Sequence, residues 1–441
     1  MKLRCVVMGA AGRDFHDFLV FFRDRPEFLV VAFTAAQIPF IERRVFPREL
    51  AGPAYGADLP IYPESELPRL VRELDVDFVF LAYSDLAHEE VMHRASLVQA
   101  AGAAFALLGP KQTQLASARP VIAVTAVRTG AGKSPITQAI AGHLHARGVR
   151  VAVVRHPMPY GDLLQEAVQR FACESDLDRA GCTIEEREEY EPYVEAGLVV
   201  FAGVDYRRIL AAAEREAEAI LWDGGNNDYP FLRPDLSIVV ADALRPGHEV
   251  AFYPGETNLR RADVVVVSKV SGAAPGAVAT IRRHVAELAP RAVVVEADLA
   301  VSVDRPEAIE GRRVLVVEDG PTVTHGGMSS GAGVVAARAA GARALVDPRP
   351  FAVGTIAGAF ARYPHIGPVL PALGYSADQR RDLAETIARC GADVVLNASP
   401  ARLERLLELR LPVARASYRF VQLSGPSLLD LASAAARGTS P

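Results

Sequence analysis

Short runs of aliphatic and β-branched residues alternate with longer amphipathic stretches along almost the whole chain of 441 residues. The short runs, such as RCVVMGA, DFVFLAYS and ADVVVVSKV, predict strands, and stretches in which apolar residues recur every three to four positions, such as ESELPRLVREL, predict helices. Strands that alternate with helices form βαβ units, whose neighbouring strands are parallel. The pattern therefore predicts an α/β protein built on mostly parallel sheets.

The alternation divides into three blocks, which we predict to be three domains because a domain typically holds roughly 100–200 residues. The first block, residues 1–118, ends in the polar connector GPKQTQLASARP. The second block, residues 119–305, opens with the apolar run VIAVTAV. The third block, residues 306–441, is smaller than the second and opens with RRVLVVEDG.

The composition narrows the functional classes. Hydrophobic residues make up 50% and charged residues 23% of the chain, as in ordinary globular proteins, and the net charge of −5 does not favour a nucleic-acid partner. No apolar run reaches eighteen residues, so we expect no membrane span. The four cysteines show no CxxC spacing, which favours free thiols in a reducing cytoplasm over disulfides or a zinc site.

The second block opens with a strand that runs into the glycine-rich turn VRTGAGKSPIT. A phosphate loop has the pattern G-x-x-x-x-G-K-[ST] between a strand and a helix, although Val127 stands here in place of the first glycine. Glycines let backbone N–H groups approach phosphate oxygens, and the lysine would reach the β- and γ-phosphates. The predicted nucleotide-binding residues are Thr129, Gly130, Ala131, Gly132, Lys133, Ser134 and Pro135, with the Ser134 hydroxyl on Mg²⁺.

Arg128 precedes this loop at a position where one deviant class of phosphate loops, K-G-G-x-G-K-[ST], carries a signature lysine. We predict that its guanidinium adds positive charge at the phosphates, within the chain or across a homodimer interface. A phosphate loop also needs an acid on a neighbouring strand, and Asp223 follows the apolar run AILW. We therefore predict that Asp223 holds Mg²⁺ and that Asn226 and Asn227 orient the substrate.

Lys269 lies at the end of another predicted strand, where GTPases carry the guanine-reading motif N-K-x-D. We expect the lysine stem to pack on the nucleotide base. Because Ser271 stands in place of the aspartate of that motif, the carboxylate that would read guanine is missing. The sequence therefore favours ATP over GTP.

Three polar stretches of the second block are candidates for substrate machinery. Arg155, His156 and Asp162 follow the second strand of the block, so the topology places them near the mouth of the phosphate loop. A later loop, rich in glycine and proline, is expected to bind anions through arginines. These loop arginines are Arg245, Arg260 and Arg261. The acidic segment 185–191 is interpreted as a solvated helix face.

The order of the motifs GKSP, WDGGNNDYPF, ADALRPGHE and NLRRADVVVVSKV resembles the cyclic 2,3-diphosphoglycerate synthetase family, whose bacterial members are often labelled predicted GTPases. MGAAGRDFHDF and EDGPTVTHGGMSSGAG also resemble that family, so the resemblance spans nearly the whole chain. The second block is similar in addition to tetraacyldisaccharide kinase, in GK[ST]P and RADVVVV. We therefore predict a Rossmann-like N-terminal domain, a central P-loop NTPase domain and a smaller C-terminal α/β domain.

The resemblance implies an ATP-dependent reaction. One phosphate of 2,3-diphosphoglycerate would be activated by the γ-phosphoryl group and attacked by its neighbour, which closes a cyclic pyrophosphate and releases ADP and phosphate. The catalytic residues expected for it are Lys133, Asp223, Arg128, Arg155 and His156. A substrate this anionic needs a cluster of cationic and backbone donors. The substrate-binding candidates are Arg13, His16, Asn226, Asn227, Arg245, His325, Gly326 and Gly327.

Two alternatives stay open at this point. A P-loop kinase or synthetase of the same shape could act on another phosphorylated acidic metabolite. A GTP-binding regulatory module, whose first domain binds a partner protein, is the other, and the degenerate SKVS base loop disfavours it. We expect a cytoplasmic homodimer that binds a small phosphorylated anion and neither nucleic acid nor membrane.

Overall fold

The computed structural model describes residues 2–9, 12–36, 44–156, 158, 161–225, 228–324, 326–374 and 376–439. Strands and helices alternate along these residues, and most neighbouring strands are parallel. The predicted α/β fold with mostly parallel sheets is therefore confirmed. Within the described residues the strands form two large sheets, one of six strands and one of thirteen.

The first block forms the six-stranded sheet. The strands of this block are β1 (Leu3–Met8), β2 (Phe28–Ala35), β3 (Val45–Phe46), β4 (Leu59–Pro63), β5 (Phe78–Leu81), β6 (Leu86–Ala87) and β7 (Ala104–Ala106). Its helices are α1 (Arg13–Asp17), α2 (Arg48–Ala51), α3 (Leu67–Glu73), α4 (His88–Ala101) and α5 (Pro110–Thr113). The sheet order is β3-β4-β2-β1-β5-β7, parallel except for β3 with β4, and β1 runs into the turn before α1. Ligand sites of open parallel sheets lie at such carboxyl ends.

The second block contributes most of the larger sheet. Its strands are β8 (Val121–Ala126), β9 (Val151–Arg155), β10 (Gln169–Phe171), β11 (Val199–Ala202), β12 (Ala219–Asp223), β13 (Leu236–Asp242), β14 (Phe252–Tyr253), β15 (Val264–Ser268) and β16 (Val293–Val303). Its helices are α6 (Lys133–Ala146), α7 (Glu174–Ala180), α8 (Ile184–Glu195), α9 (Tyr206–Glu216), α10 (Gly255–Arg260) and α11 (Ala277–Leu288). The parallel strands β12 and β13 flank β8, so the acids Asp223 and Asp242 end on either side of the loop that follows β8.

The third block continues the same sheet. Its strands are β17 (Arg313–Asp319), β18 (Ala344–Leu345), β19 (Leu370–Ala372), β20 (Val394–Asn397) and β21 (Val413–Ser424). Its helices are α12 (Gly320–Val323), α13 (Ala332–Ala339), α14 (Gly354–Arg362), α15 (Ala377–Arg389), α16 (Leu403–Leu406) and α17 (Leu428–Ala436). The antiparallel pair β16–β21 joins the two blocks, and α17 packs into the core beneath α6. Sheet and core thus cross the predicted boundary at residue 305, and the three-domain division stays a prediction.

The first block meets the second through a short ribbon in which β6 pairs antiparallel with β14. Next to this ribbon, Arg13 of α1 donates to the Tyr253 hydroxyl of β14 and lies over the ring of Tyr229 in the loop after β12. The residues between the two blocks are therefore candidates for a site. Among the described residues no helix is long and apolar enough to cross a membrane.

Candidate functional site

The predicted phosphate loop lies between the buried strand β8 and the helix α6, as the motif requires. Gly130 and Gly132 have φ angles of +78° and +96°, a conformation that favours glycine. A Cβ at Gly132 would also lie 2.7 Å from Leu299 Cδ1. The structure thus explains these two glycines by backbone conformation and close packing, and the replacement of the first motif glycine by Val127 leaves the loop in place between its strand and helix.

Lys133 and Asp223 are brought together at the start of α6. The Lys133 ammonium pairs with Asp223 Oδ1, and Arg155 pairs with Asp223 Oδ2. The Tyr193 hydroxyl donates to Asp223 Oδ2 at 2.5 Å, and the Thr137 hydroxyl lies 3.3 Å from Oδ1. Asp223 is fully buried, and both of its oxygens are occupied by these donors.

The charges of this cluster set its pKa values. Burial raises the pKa of Asp223, but the charges of Arg155 and Lys133 outweigh burial and hold it at about 2. Burial lowers the pKa of Lys133 to about 8, although Asp223 counteracts it. Burial and the neighbouring Arg155 and Lys133 charges lower the pKa of His156 to about 3. His156 is therefore neutral at pH 7.

The His156 ring packs against Gly225, where a Cβ would overlap its atoms. Its buried Nδ1 has no hydrogen-bond partner within the described part of the chain. Arg155, by contrast, is held by Asp223 and by Glu189 of α8. The structure thus places both predicted catalytic residues beside Asp223, with His156 able to exchange a hydrogen bond with a ligand. Asp162 lies elsewhere, in a turn where it accepts from the Leu164 amide.

Lys269 of the predicted base loop is hydrogen-bonded to the phosphate loop. Lys269 adopts a left-handed φ of +60° and donates to Gly130 O at 2.6 Å and to Asp242 Oδ2 at 2.9 Å. Arg245 pairs with the same Asp242 oxygen and donates to Thr129 O at 2.7 Å. Asp242 was missed by the sequence analysis, although its place at the end of a buried strand, like that of Asp223, is a usable signal.

Ser271 of the base loop contacts an acid from another strand. Its amide donates to Asp298 Oδ1 at 2.9 Å, and its hydroxyl donates to Asp298 Oδ2. Asp298 comes from β16, and both of its oxygens accept from Ser271. The preference for ATP over GTP that was predicted from the missing aspartate of the motif is therefore unchanged by this contact.

Arg128 makes contacts other than the predicted ones. Its Nε donates to Asp85 Oδ1 of the first block at 2.7 Å, and its guanidinium carbon lies 3.8 Å from the centre of the Phe252 ring. Its Nη1 lies 3.4 Å from His248 Nδ1. An ion pair and an aromatic face therefore direct Arg128 to the junction of the two blocks, whereas we expected it at the phosphates.

His16 is a core residue in the structure. It is 1% exposed, stacks on Phe231 with ring centres 3.9 Å apart and bonds Thr113 O through Nε2. Burial lowers its pKa to about 3, so it carries no charge for an anion at pH 7. The prediction that His16 helps to bind an anionic substrate is therefore not supported. Its neighbour Arg13 is buried at the junction and lies 3.7 Å from Asp17.

The acidic segment 185–191 was predicted as a solvated face, and this prediction is wrong. It lies in α8 between the second and third blocks, where most of its glutamates are buried. Glu185 accepts from the Gly374 amide, and Glu188 accepts from the Ser399 hydroxyl at 2.5 Å. Burial raises the pKa of Glu185 to about 8 and, with the nearby Asp319, raises that of Glu188. Hydroxyl and amide donors of the third block make this burial possible.

Only some of the remaining predicted substrate residues lie near the phosphate loop in the structure. Gly326 accepts from Arg245 Nη1 at 3.3 Å, and Gly327 has a φ of +69°. Asn226, Asn227 and His325 lie outside the described residues. Of the loop arginines, Arg260 pairs with Glu256 and Arg261 reaches Gln114, so neither contacts the residues around the phosphate loop.

A magnesium ion fits the donor set only in part. The Ser134 hydroxyl stands at the start of α6, as in phosphate loops that hold Mg²⁺. Asp223 offers oxygens of the right kind, but Lys133 and Arg155 hold them both. No group of three or more histidine, cysteine, aspartate or glutamate side chains suited to a metal occurs in the described ranges. Mg²⁺ is thus expected to bind with the nucleotide.

Comparison with known proteins connects the whole chain to a curated relative. The chain is 54% identical over 430 residues, 98% of its length and 96% of the relative, to arginine synthetase ArcE of Thermococcus kodakarensis. It is 33% identical over 228 residues to a tetraacyldisaccharide 4'-kinase of Anaeromyxobacter, and the matching region covers 46% of this chain and 59% of the kinase. The LpxK of Aquifex aeolicus solved with ATP matches with 12% identity and a TM-score of 0.43, over 81% of this chain and 95% of that one. No family model matches the chain.

The first relationship covers all three blocks, including the stretches that resemble cyclic 2,3-diphosphoglycerate synthetase. The family relationship predicted from the motifs is therefore confirmed, and the kinship of the second block with tetraacyldisaccharide kinase is confirmed as a distant one. The chain belongs to the family of arginine synthetase ArcE and is a P-loop protein of the synthetase and kinase class.

Proposed function

We propose that this protein is an ATP-dependent synthetase that forms the guanidinium group of arginine. The observation that carries the proposal is the 54% identity over nearly the full length of an arginine synthetase. A phosphate loop with an intact lysine and serine supports the use of ATP in the reaction. The finer prediction of cyclic 2,3-diphosphoglycerate synthesis becomes the second candidate.

The reaction follows from the chemistry of the product. A guanidinium carbon differs from a ureido carbon, as in citrulline, by one nitrogen in place of oxygen. The ureido oxygen attacks the γ-phosphorus and ADP leaves, which converts that oxygen into part of a phosphate leaving group. Ammonia then attacks the carbon, phosphate departs with the oxygen, and the product carries the positive charge of the guanidinium. One ATP is converted to ADP and phosphate for each arginine.

The residues of the phosphate loop supply charge for the first step. Lys133, which pairs with Asp223 in the structure, would turn to the γ-phosphate when the nucleotide binds, because phosphoryl transfer is catalysed mainly by positioning and charge neutralisation. Ser134 and, after that exchange, Asp223 would hold Mg²⁺, which neutralises charge on the β- and γ-phosphates. His156, neutral at pH 7, is suited to accept a proton from the attacking ammonia.

The charge balance of the site supports a cationic product over a multiply anionic substrate. Four of the predicted anion-binding arginines have acidic partners near the site: Arg13 with Asp17, Arg128 with Asp85, Arg155 with Asp223, and Arg245 with Asp242. Two buried carboxyl groups at the junction of the first and second blocks keep an oxygen without a hydrogen-bond partner within the described residues. These oxygens are Oδ1 of Asp17 and Oδ1 of Asp228. Such acceptors match ammonium and guanidinium groups, which only donate.

Cyclic 2,3-diphosphoglycerate synthesis is favoured by the long motifs that resemble that family. Both candidates use the same first half-reaction, transfer of the γ-phosphoryl group to a substrate oxygen. They differ in the second nucleophile, which is ammonia in one case and a neighbouring phosphate in the other. The identity of the product therefore separates them.

The test incubates the purified chain with MgATP, ammonium and L-citrulline, and in parallel with MgATP and 2,3-diphosphoglycerate. We expect arginine, ADP and phosphate in equal amounts in the first reaction, none without ammonium, and no cyclic pyrophosphate by ³¹P NMR in the second. Formation of cyclic pyrophosphate without arginine would replace the proposal with the second candidate. GTP in place of ATP tests the predicted preference for ATP in the same assay.

A further inference from the structure

We propose that Arg13, Asp17 and Asp228 form a binding site for the α-carboxylate and α-ammonium groups of an amino-acid substrate. The three residues lie at the junction of the first and second blocks, where the charge of Arg13 interacts with those of both aspartates. The inference rests on the proposed function, because it names the part of the substrate that does not react.

All three side chains are buried and incompletely bonded. Arg13, Asp17 and Asp228 are 2%, 2% and 5% exposed. Within the described residues, Arg13 Nε and Nη1, Asp17 Oδ1 and Asp228 Oδ1 have no hydrogen-bond partner. Leaving a buried charge without its hydrogen bonds is costly, and folded proteins avoid it where no ligand is bound. Three such groups in one cluster therefore point to a polar ligand.

The surroundings hold the Arg13 guanidinium in one orientation. Its carbon lies 4.3 Å from the centre of the Tyr229 ring and 5.6 Å from that of Tyr253, and its Nη2 donates to the Tyr253 hydroxyl at 3.0 Å. Its nearest acid, Asp17, lies 3.7 Å from Nε, which is an ion pair but not a hydrogen bond. The spare donors are thus positioned for a carboxylate.

The charges of the three residues match a zwitterion. The cluster holds one guanidinium and two carboxyl groups, and because burial raises the pKa of both Asp17 and Asp228 to about 7, a bound ammonium would favour their charged forms. A free amino acid contributes a carboxylate for Arg13 and an ammonium for Asp17 and Asp228. The carboxylate would accept from the spare donors of Arg13, and the ammonium would donate to Asp17 Oδ1 and Asp228 Oδ1. A phosphate or a dicarboxylate would instead place further negative charge against two aspartates.

The location suits a substrate whose reacting group is at the far end of a long side chain. Asp228 and Asp223 lie at the two ends of one loop that follows β12. Between them Gly225 packs on His156, whose Nδ1 lacks a partner. In this proposal an amino acid held at Asp228 would extend its side chain toward Lys133, which pairs with Asp223 at the other end of that loop.

The test is equilibrium binding to the full-length chain with MgADP, measured by isothermal titration calorimetry. L-Arginine is compared with agmatine, which lacks the carboxylate, and with Nα-acetyl-L-arginine, which lacks the ammonium. We expect agmatine and the acetylated compound each to bind at least tenfold more weakly than L-arginine to the wild-type protein. Equal binding of all three compounds would overturn the inference.

Two variants test which residue binds the carboxylate of the substrate and which binds its ammonium group. Arg13→Lys should weaken the binding of L-arginine at least tenfold and leave the binding of agmatine unchanged. Asp228→Asn should weaken the binding of L-arginine at least tenfold and leave the binding of the acetylated compound unchanged. Arg94→Lys is the matched control, because Arg94 is a partly buried arginine of the same block that pairs with Glu64. If both variants bind L-arginine as the control does, the cluster is structural only and the inference fails.

The two proposals fail separately. If the wild-type chain binds L-arginine in this selective way but forms none from citrulline, the proposed function is wrong and the head-group site stands. If the chain forms arginine but agmatine binds as tightly as L-arginine, the proposed function stands and the head-group site is wrong.

Discussion

Two clusters of buried charges lie at the two ends of the loop that joins Asp223 to Asp228. At the first end, both oxygens of Asp223 are occupied by Lys133, Arg155 and hydroxyl donors. At the second end, Asp228 and Arg13 keep atoms without partners in the described part of the chain. The pKa values reflect this difference, since that of Asp223 is held at about 2 by the two cations, whereas burial raises that of Asp228 to about 7.

The comparison separates two uses of buried charge. Both oxygens of Asp223 have partners without a ligand, so in the proposed mechanism a nucleotide would exchange partners with them: its phosphates would take Lys133, and Asp223 would become available to Mg²⁺. The cluster around Asp228 is incomplete, so a ligand adds partners without displacing any. The first arrangement couples binding to a rearrangement, whereas the second selects a ligand by charge.

The largest effect on activity is expected in the Asp223 cluster. Lys133→Ala should lower kcat about 10³-fold, because the ammonium acts on charge that develops in the transition state. The thermal unfolding midpoint should change by no more than a few degrees, since Arg155 still neutralises Asp223. Steady-state kinetics of ADP release and a thermal scan measure the two quantities. Lys111→Ala, at an exposed lysine, is the control, and activity close to wild type in Lys133→Ala would remove the loop from the mechanism.

The two aspartates should differ most clearly in stability. Asp223→Asn leaves Lys133 buried without its counter-ion and Arg155 with Glu189 alone, and it should lower the free energy of unfolding by about 3–5 kcal/mol. Asp228→Asn removes a carboxylate that has an unpartnered oxygen and should not lower it at pH 7. Urea denaturation of both variants at pH 7 gives the comparison. Equal destabilisation by both would mean that Asp228 has partners the structure does not contain.

The pH dependence of stability should have opposite signs at the two ends. The folded pKa of Asp223 lies below the ordinary value of 3.8, so its contribution is present above about pH 4 and lost as the pH falls toward 2. The folded pKa of Asp228 is raised to about 7, so the wild type loses stability as the pH rises from about 4 to 7. The charged and polar groups around Asp228 are Arg13, Asp14, Ser84 and Asp85.

Asp228→Asn removes this second effect. Relative to the wild type, the variant should gain stability between pH 4 and 7, by up to about 1.4 kcal/mol per pH unit. Urea midpoints at half-unit steps measure the difference. A difference that stays constant across this range would show that Asp228 titrates in the folded protein as it does in the unfolded chain.

Features carried by adjacent residues were predictable from the sequence. The phosphate loop and the acid at the end of β12 follow from a strand, a turn and a helix that are contiguous in the chain. The alternation of strands and helices likewise gave the α/β class. The pairing of β16 with β21 was not predictable, because it joins residues more than a hundred positions apart and depends on which sheet edge is left uncovered.

The errors concern side chains whose partners come from other blocks. Glu188 looks solvated in the sequence because its neighbours are glutamates, yet Ser399 supplies its hydrogen bond from the third block. Asp298 likewise bonds Ser271 from another strand. Such contacts leave no local signal, since burial of a charge depends on the donors that the fold brings to it.

The smallest effect is expected at Arg128, which lies between the two clusters. Because its guanidinium is bound to Asp85 and stacked on Phe252, Arg128→Ala should lower kcat less than tenfold and should weaken the junction of the first two blocks. Kinetics and limited proteolysis of the junction measure the two effects, with Arg128→Lys as the variant that keeps the charge but loses the stacked plane. A loss of 10³-fold in kcat at unchanged stability would instead return Arg128 to the phosphates, as its place before the loop suggested. The Asp223 cluster would then gain a third cation on nucleotide binding, and the two ends of the loop would have to be assigned different roles from those proposed above.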